Sequence, residues 1–251
     1  MKSSQTERTL STDAFDVGID GAVACLRLTH GPVNSLRFAD WVDFRRLISE
    51  LESDEAVRSI VITGHPGRHF CAGNDTNEFT SLSARAVDDG TAAVLAGVRA
   101  LYESRLVSVA AIHGAALGSG LLLAAACDIR VSTPDSKLGL PEILAGAFGG
   151  YRLAREIFPK GEARLTALTG EPVDGTRAHQ LGIVQRLYAS PAEAVTASVA
   201  LATSISDKLT KDLAVQAKYL LNRIETSNMW DGHDLERLLE VRIMASEARH
   251  E

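Results

Sequence analysis

Residues 107–126 constrain this chain more than any other stretch. The run is as long as a membrane span, which needs about 20 apolar residues, but it is interrupted by His113 and by Gly114, Gly118 and Gly120. Glycines so closely spaced weaken a continuous helix, because each one costs backbone entropy. The run therefore reads as a buried strand over Val107–Ile112, a glycine-rich loop over 114–120 and an apolar helix over 121–126. A short strand follows at Ile129–Ser132, so the pattern is strand, turn, helix, strand.

The rest of the chain repeats that alternation. Two short strands, 15–19 and 22–28, flank Asp20-Gly21, a dipeptide that favours a hairpin. Residues 38–51 place Trp41, Phe44, Leu47, Ile48 and Leu51 on one helical face. A buried strand at 59–63 ends at Gly64, an irregular Gly- and Pro-rich segment covers 65–75, and 91–105 reads as helix. From residue 149 the pattern is mainly helical, over 150–158, 162–168, 176–181, 191–205 and 210 onward. Strands alternating with helices imply an α/β core, and helices alone follow it. The domain reading is a polar, disordered tail over 1–11, a core over 12–195 and a helical region over 196–251.

Bulk properties narrow the partners. A chain of 251 residues with 45% hydrophobic and 23% charged residues is long enough for one sizeable core. Its formal net charge is -6, which gives no general attraction for nucleic acid or for an anionic membrane. Cys25, Cys71 and Cys127 are far apart and odd in number, so reduced thiols are expected rather than a disulfide framework or a zinc site. His65, His69 and His113 lack metal-ligand spacing, and no metal is expected. The polar N-terminus lacks an apolar signal core, so the expected location is cytoplasmic.

Three segments carry chemistry. They are His69-Phe70-Cys71-Ala72-Gly73-Asn74-Asp75, Ile112-His113-Gly114-Ala115-Ala116-Leu117-Gly118-Ser119-Gly120, and Leu138-Gly139-Leu140-Pro141-Glu142-Ile143. The first two are glycine turns after buried strands, and such turns expose backbone N–H groups. The second also opens a helix, whose dipole favours negative charge there. Two N–H groups aimed at one point form an oxyanion hole, each donor being worth about 3 kcal/mol in a transition state. A thioester oxygen becoming an enolate oxygen fits such a hole. The third segment supplies one carboxylate able to move a proton on an α or γ carbon.

Together with Pro32-Val33-Asn34-Ser35-Leu36 and the stretch from Leu168-Thr169-Gly170 to Leu181-Gly182-Ile183-Val184, these segments make the chain resemble the crotonase, or enoyl-CoA hydratase/isomerase, superfamily. The match runs from about Phe15 to the chain end. The resemblance implies an α/β spiral of ββα units with a C-terminal helical region that assembles a homotrimer or a dimer of trimers. It also implies an acyl-CoA thioester substrate, with coenzyme A as part of that substrate and no further cofactor. By position, the oxyanion donors would be the N–H groups of Asn74 and Ser119. Ala72, Asn74 and Thr76 would line the coenzyme A path by their backbone, with Val33 beside it. Glu142 would be the catalytic acid.

The chain departs from the family in two places. Family hydratases carry a second glutamate early in the helix after the glycine loop, and Leu122 stands there. Leu122 is expected to line the acyl pocket and to raise the pKa of Glu142 by desolvation. Hydration needs water held at one carbon and a proton delivered at the next, which one carboxylate does poorly. Double-bond migration needs only one proton shuttle, so isomerase chemistry is expected. Hydratase is the alternative, and a non-catalytic acyl-CoA-binding member is the alternative from another class. The chain also stops at Glu251, where family members continue with a last helix. Other signals have plain readings. Asp75 and Asp128 satisfy loop or strand-end N–H groups, Ser119 acts through its N–H with its hydroxyl incidental, and Glu78 lies in another segment. Arg27 and Arg68 are placed to reach coenzyme A phosphates or simply to be solvated, and Met229 and Trp230 pack a helix or a subunit contact.

Overall fold

The computed structural model describes residues 8–65, 67 and 69–247. Its first half is built from repeated ββα turns. A hairpin of β2 (Phe15–Asp20) and β3 (Val23–Leu28) follows β1 (Arg8–Ser11). Then come β4 (Ser35–Leu36) and α1 (Phe38–Ser53), and next β5 (Ser59–Gly64), β6 (Gly73–Asn74), α2 (Thr76–Ser81) and α3 (Ala84–Glu103). The third turn is β7 (Val107–Ile112), β8 (Ala115–Leu117) and α4 (Ser119–Ala125). The fourth is β9 (Ile129–Ser132), β10 (Lys137–Gly139) and a 3₁₀ turn over Pro141–Ala145. The remainder is α5 (Tyr151–Ile157), α6 (Lys160–Thr169), β11 (Val173–Asp174), α7 (Gly175–Gln180), β12 (Arg186–Leu187), α8 (Pro191–Lys208), α9 (Lys211–Ile224) and α10 (Met229–Glu247).

Each turn sends its long strand to one sheet and its short strand to another layer. The main sheet runs β1-β2-β3-β5-β7-β9-β12, while β11-β10-β8 and β4-β6 form two small sheets beside it. Strands β3, β5, β7 and β9 pair in parallel. They are buried on both faces, as crossover connections require. Ile60, Ile62, Ala110 and Ile112 face the large core with Trp41, Phe44, Leu47 and Ile48 of α1. Val61, Val109 and Ala111 face the other side, where Ala194 and Ala202 of α8 cover them. The alternation follows from the two-residue period of a strand.

Several expectations need correction. Residues 8–11 are not a disordered tail: they form an edge strand antiparallel to β2, with Leu10 opposite Val17 and packed on the core. Pairing satisfies backbone groups that water would otherwise have to solvate. Residues 1–7 lie outside the described residues. The boundary drawn between 195 and 196 falls inside α8, whose buried face spans Ala194 to Ser206. The helical run from 210 is interrupted over 225–228, and the glycine-rich loop holds β8 and the first turn of α4. Among the described residues no helix is long and apolar enough to cross a membrane.

Candidate active site

Three neighbouring strands end at the same level, and that register assembles the site. Strand β8 pairs in parallel with β10, setting Leu117 beside Gly139, and the Gly118 N–H donates to the Gly139 carbonyl at 3.0 Å. On the other edge of β8, the Cys71 N–H donates to Ala115 O at 2.9 Å and the Leu117 N–H to Cys71 O at 3.0 Å. The chain therefore leaves these strands side by side at Gly73-Asn74, at Gly118-Ser119 and at Leu140-Pro141-Glu142.

The first two exits present backbone donors. The Asp75 N–H donates to Leu36 O at 2.8 Å, so the Asn74 N–H, one residue earlier in an extended segment, turns to the opposite edge of the strand. Ser119 is the first helical residue of α4, and Gly118 offers it no side-chain cap, so its N–H has no helical acceptor. Glycine is required at both turns. Gly73 has φ +109°, and a Cβ built there would meet Leu117 O at 3.0 Å and Ser119 N at 3.7 Å. Gly118 has φ +54°, and a Cβ there would meet Glu142 Oε1 at 3.0 Å and the Gly73 Cα at 3.9 Å. These distances bring both donor turns and the Glu142 carboxyl into one cluster.

Glu142 sits in the first turn of the 3₁₀ helix, behind Pro141. Its Oε2 is buried without a hydrogen-bond partner. Burial pushes its carboxyl above the ordinary value of 4.5, and a bond to its own backbone N–H opposes this only in part. A carboxyl whose burial outweighs its one backbone bond favours the neutral form and makes a stronger base when ionised. Leu122 is 6% exposed. Its side chain lies against Gly150 and borders a cavity of about 500 Å³ lined by Leu95, Val98, Tyr102 and Leu153 and, on its polar side, by Arg99, Arg152 and Glu156.

The residues expected along the coenzyme A path are partly brought together. The Ala72 N–H donates to Val33 O at 3.1 Å, which joins those two but occupies that N–H. Thr76 opens α2 and is exposed. Arg27 lies 3.9 Å from Asp16 on the exposed face of the hairpin. Arg68 lies outside the described residues.

Other polar groups have structural roles. Asp75 caps α2 by accepting from Asn77 N. Asp128 accepts from the Ser108 N–H and hydroxyl and pairs with the buried Lys218 at 2.9 Å. Glu78 accepts from the Phe38 N–H at the start of α1. His113 is buried with Nε2 3.2 Å from Gly64 O, and His69 Nδ1 accepts from the Ala115 N–H. Cys71 and Cys127 are buried free thiols pushed up to about 12 by desolvation, whereas Cys25 is only half-buried. Met229 and Trp230 do not pack into the fold: they are 72% and 70% exposed. Among the described residues, no group of three or more His, Cys, Asp or Glu side chains is placed to hold a metal ion.

The sequence reading missed one feature. The Asn74 Oδ1 accepts from Trp41 Nε1 at 2.9 Å and from the Ser119 hydroxyl at 2.8 Å. Ser119 Oγ is therefore not idle. The one sequence signal was an amide side chain in a donor turn that needs only a backbone.

Known proteins share the sequence pattern and the fold of this chain. The profile of the family described as Enoyl-CoA hydratase/isomerase matches residues 18–251. A probable enoyl-CoA hydratase of Bacillus subtilis is 37% identical over 213 residues, covering 80% of each chain. The peroxisomal fatty acid β-oxidation multifunctional protein MFP2 of Arabidopsis thaliana is 37% identical over 195 residues, and the match spans 26% of its length. The crystal structure of an enoyl-CoA hydratase from Bacillus anthracis superposes with a TM-score of 0.88 at 21% identity, covering 95% of this chain and 93% of that one, which establishes the fold. The chain belongs to the enoyl-CoA hydratase/isomerase family, with the expected α/β crotonase fold and C-terminal helices, and is an enzyme acting on acyl-CoA.

Proposed function

We propose that the protein shifts a double bond in an enoyl-CoA thioester, using Glu142 as the single proton shuttle. The Glu142 carboxylate takes a proton from C2 of a 3-enoyl-CoA. The electron pair of that C–H bond moves into the C1–C2 bond, and the thioester oxygen takes up negative charge. The N–H groups of Asn74 and Ser119 hold that oxygen. Glu142, now neutral, returns the proton at C4, and the double bond is left between C2 and C3. No atom enters or leaves.

The observation that carries this reading is the half-buried Glu142 carboxyl beside Gly118, whose Oε2 has no hydrogen-bond partner, with a leucine at the position where a second acid would stand. The cavity bordered by Leu122 suits an apolar acyl tail, and the backbone near Val33, Ala72 and Thr76 suits the pantetheine arm. A parallel assay of 3-enoyl-CoA isomerisation and crotonyl-CoA hydration tests it. Isomerisation at enzyme rates with only trace hydration is expected, and hydration as the faster reaction would overturn the reading.

Hydration is the second reading, favoured by the hydratase name of the Bacillus subtilis relative. It requires a polar group elsewhere in the site to hold the water, since Leu122 is apolar. Assembly as a homotrimer or dimer of trimers belongs to the same proposal, since Tyr219, Met229, Trp230, Leu238 and Val241 of α9 and α10 are each more than half exposed. Light scattering on the wild type and on Trp230→Asp checks it, with loss of the assembled mass expected in the variant.

A further inference from the structure

We propose that the side chains of Trp41, Asn74 and Ser119 form a clamp that sets the spacing and direction of the two oxyanion N–H groups. The inference rests on the reading of Asn74 and Ser119 as those donors, and it assigns their side chains a separate task.

The chemistry of the three groups leaves one arrangement. An indole N–H only donates, so the atom of the Asn74 amide 2.9 Å from Trp41 Nε1 is the oxygen. The Ser119 hydroxyl lies 2.8 Å from the same oxygen and must therefore donate as well. Both lone pairs of that oxygen are then engaged, and the amide plane is fixed from two sides. One anchor is rigid: Trp41 is fully buried and meets Phe44 edge-on, with ring centroids 5.8 Å apart. The other is the first residue of α4, itself 5% exposed.

The bridge joins the two donor residues side chain to side chain, across turns that are 45 residues apart in the chain. The backbone bonds between Cys71 and β8 already bring the two segments together, and the bridge adds a tie at the donor residues themselves. An oxyanion hole works when its donors sit within about 3 Å of the future anion, and a misplacement near 1 Å can cost about a hundredfold in rate. Trp41 never touches the reacting atoms, so it is a positioning residue, as are the amide of Asn74 and the hydroxyl of Ser119.

The test reads polarisation at the thioester oxygen directly. Cinnamoyl-CoA, an aromatic enoyl thioester, absorbs at longer wavelength when its carbonyl oxygen is held by strong donors. Wild-type protein is expected to shift its band to the red. Asn74→Ala and Ser119→Ala keep both backbone N–H groups, and each is expected to diminish that shift. Each should also lower kcat by about tenfold or more while KM stays within about threefold. The double variant should be no worse than the weaker single one, because the groups act as one unit. Trp41→Phe should act in the same direction. If it fails to fold, the two small truncations decide alone. A full red shift with kcat within about twofold of wild type in both truncations overturns the clamp. Absence of any red shift in the wild type removes the oxyanion hole itself, and the clamp with it.

Discussion

The two donor turns and the turn that carries Glu142 meet at one point but are held very differently. Gly73-Asn74 and Gly118-Ser119 lie in buried ladders, with Ser119 only 5% exposed and its flanks bonded to β10 and to Cys71. Beyond Glu142 the chain makes a 3₁₀ turn that closes on a left-handed Gly146, and Leu144 and Phe148 are 76% and 66% exposed. Stabilising a charge calls for dipoles that are fixed in advance. Moving a proton between two carbons calls for one carboxyl that can address both. On the proposed reading, the first task falls to strand ends locked by packing, and the second to a short turn with few buried contacts, the kind of segment that opens most readily.

The largest expected effect tests the division outright. Glu142→Gln keeps the shape of the side chain and removes the base, so turnover should fall by about a hundredfold or more. Binding of an acyl-CoA, measured by calorimetry, should persist, because the donor turns are untouched. Unchanged turnover would remove Glu142 from the chemistry.

Gly118→Ala attacks the rigid half. The added Cβ must accept a left-handed φ of +54° and stand 3.0 Å from Glu142 Oε1. Strain of that kind costs about 1–3 kcal/mol, to be read from chemical denaturation. Turnover should fall about tenfold or more as the donor turn shifts. A variant of wild-type stability and rate would show that the turn is less constrained than its packing implies. Leu144→Ala probes the loose half and should do little: a stability change within about 0.5 kcal/mol and turnover within about twofold. A large loss there would mean that the exposed segment is covered and used in the working assembly.

The same contrast explains what the sequence made legible. The long strands and α1 were readable because four or more residues of regular pattern leave a signal, and Val107–Ile112 and Ile129–Ser132 match residue for residue. The strands that place the site were not. β4, β6, β8 and β10 are two or three residues long, too short for any period, and only their parallel register brings Leu117 level with Gly139. Glu142, Asn74 and Ser119 were picked out as candidates through motif resemblance and local turn chemistry, and the structure brings them together. The Trp41 bond to Asn74 was hidden because Trp41 fits the apolar face of α1 without remainder, and nothing in a linear pattern marks its one polar atom. β1 was missed because only Leu10 of Arg8–Ser11 is apolar.

The smallest expected effect concerns stability rather than rate, and it asks whether the carboxyl is held against its own preference. Burial raises the Glu142 pKa above 4.5, so the folded protein holds this proton more tightly than the unfolded chain does. By linkage, such a group contributes stability that is fully present below the unfolded value and is lost as pH rises through the folded one. The wild type should therefore melt slightly below Glu142→Gln at pH 7, and the two should converge as pH falls below 4.5. The acid limb of the activity profile should also lie above that of an ordinary carboxylate, since the base is available only once ionised. Melting curves at neutral and acidic pH decide between two arrangements. A wild type that melts higher at pH 7 would mean that the ionised carboxylate has found a partner in the fold, and a base so satisfied would be a poor one. A wild type that melts lower means that the bond from its own backbone N–H does not offset the burial of the charge, which on the proposed reading leaves a base able to take a proton from a bound thioester.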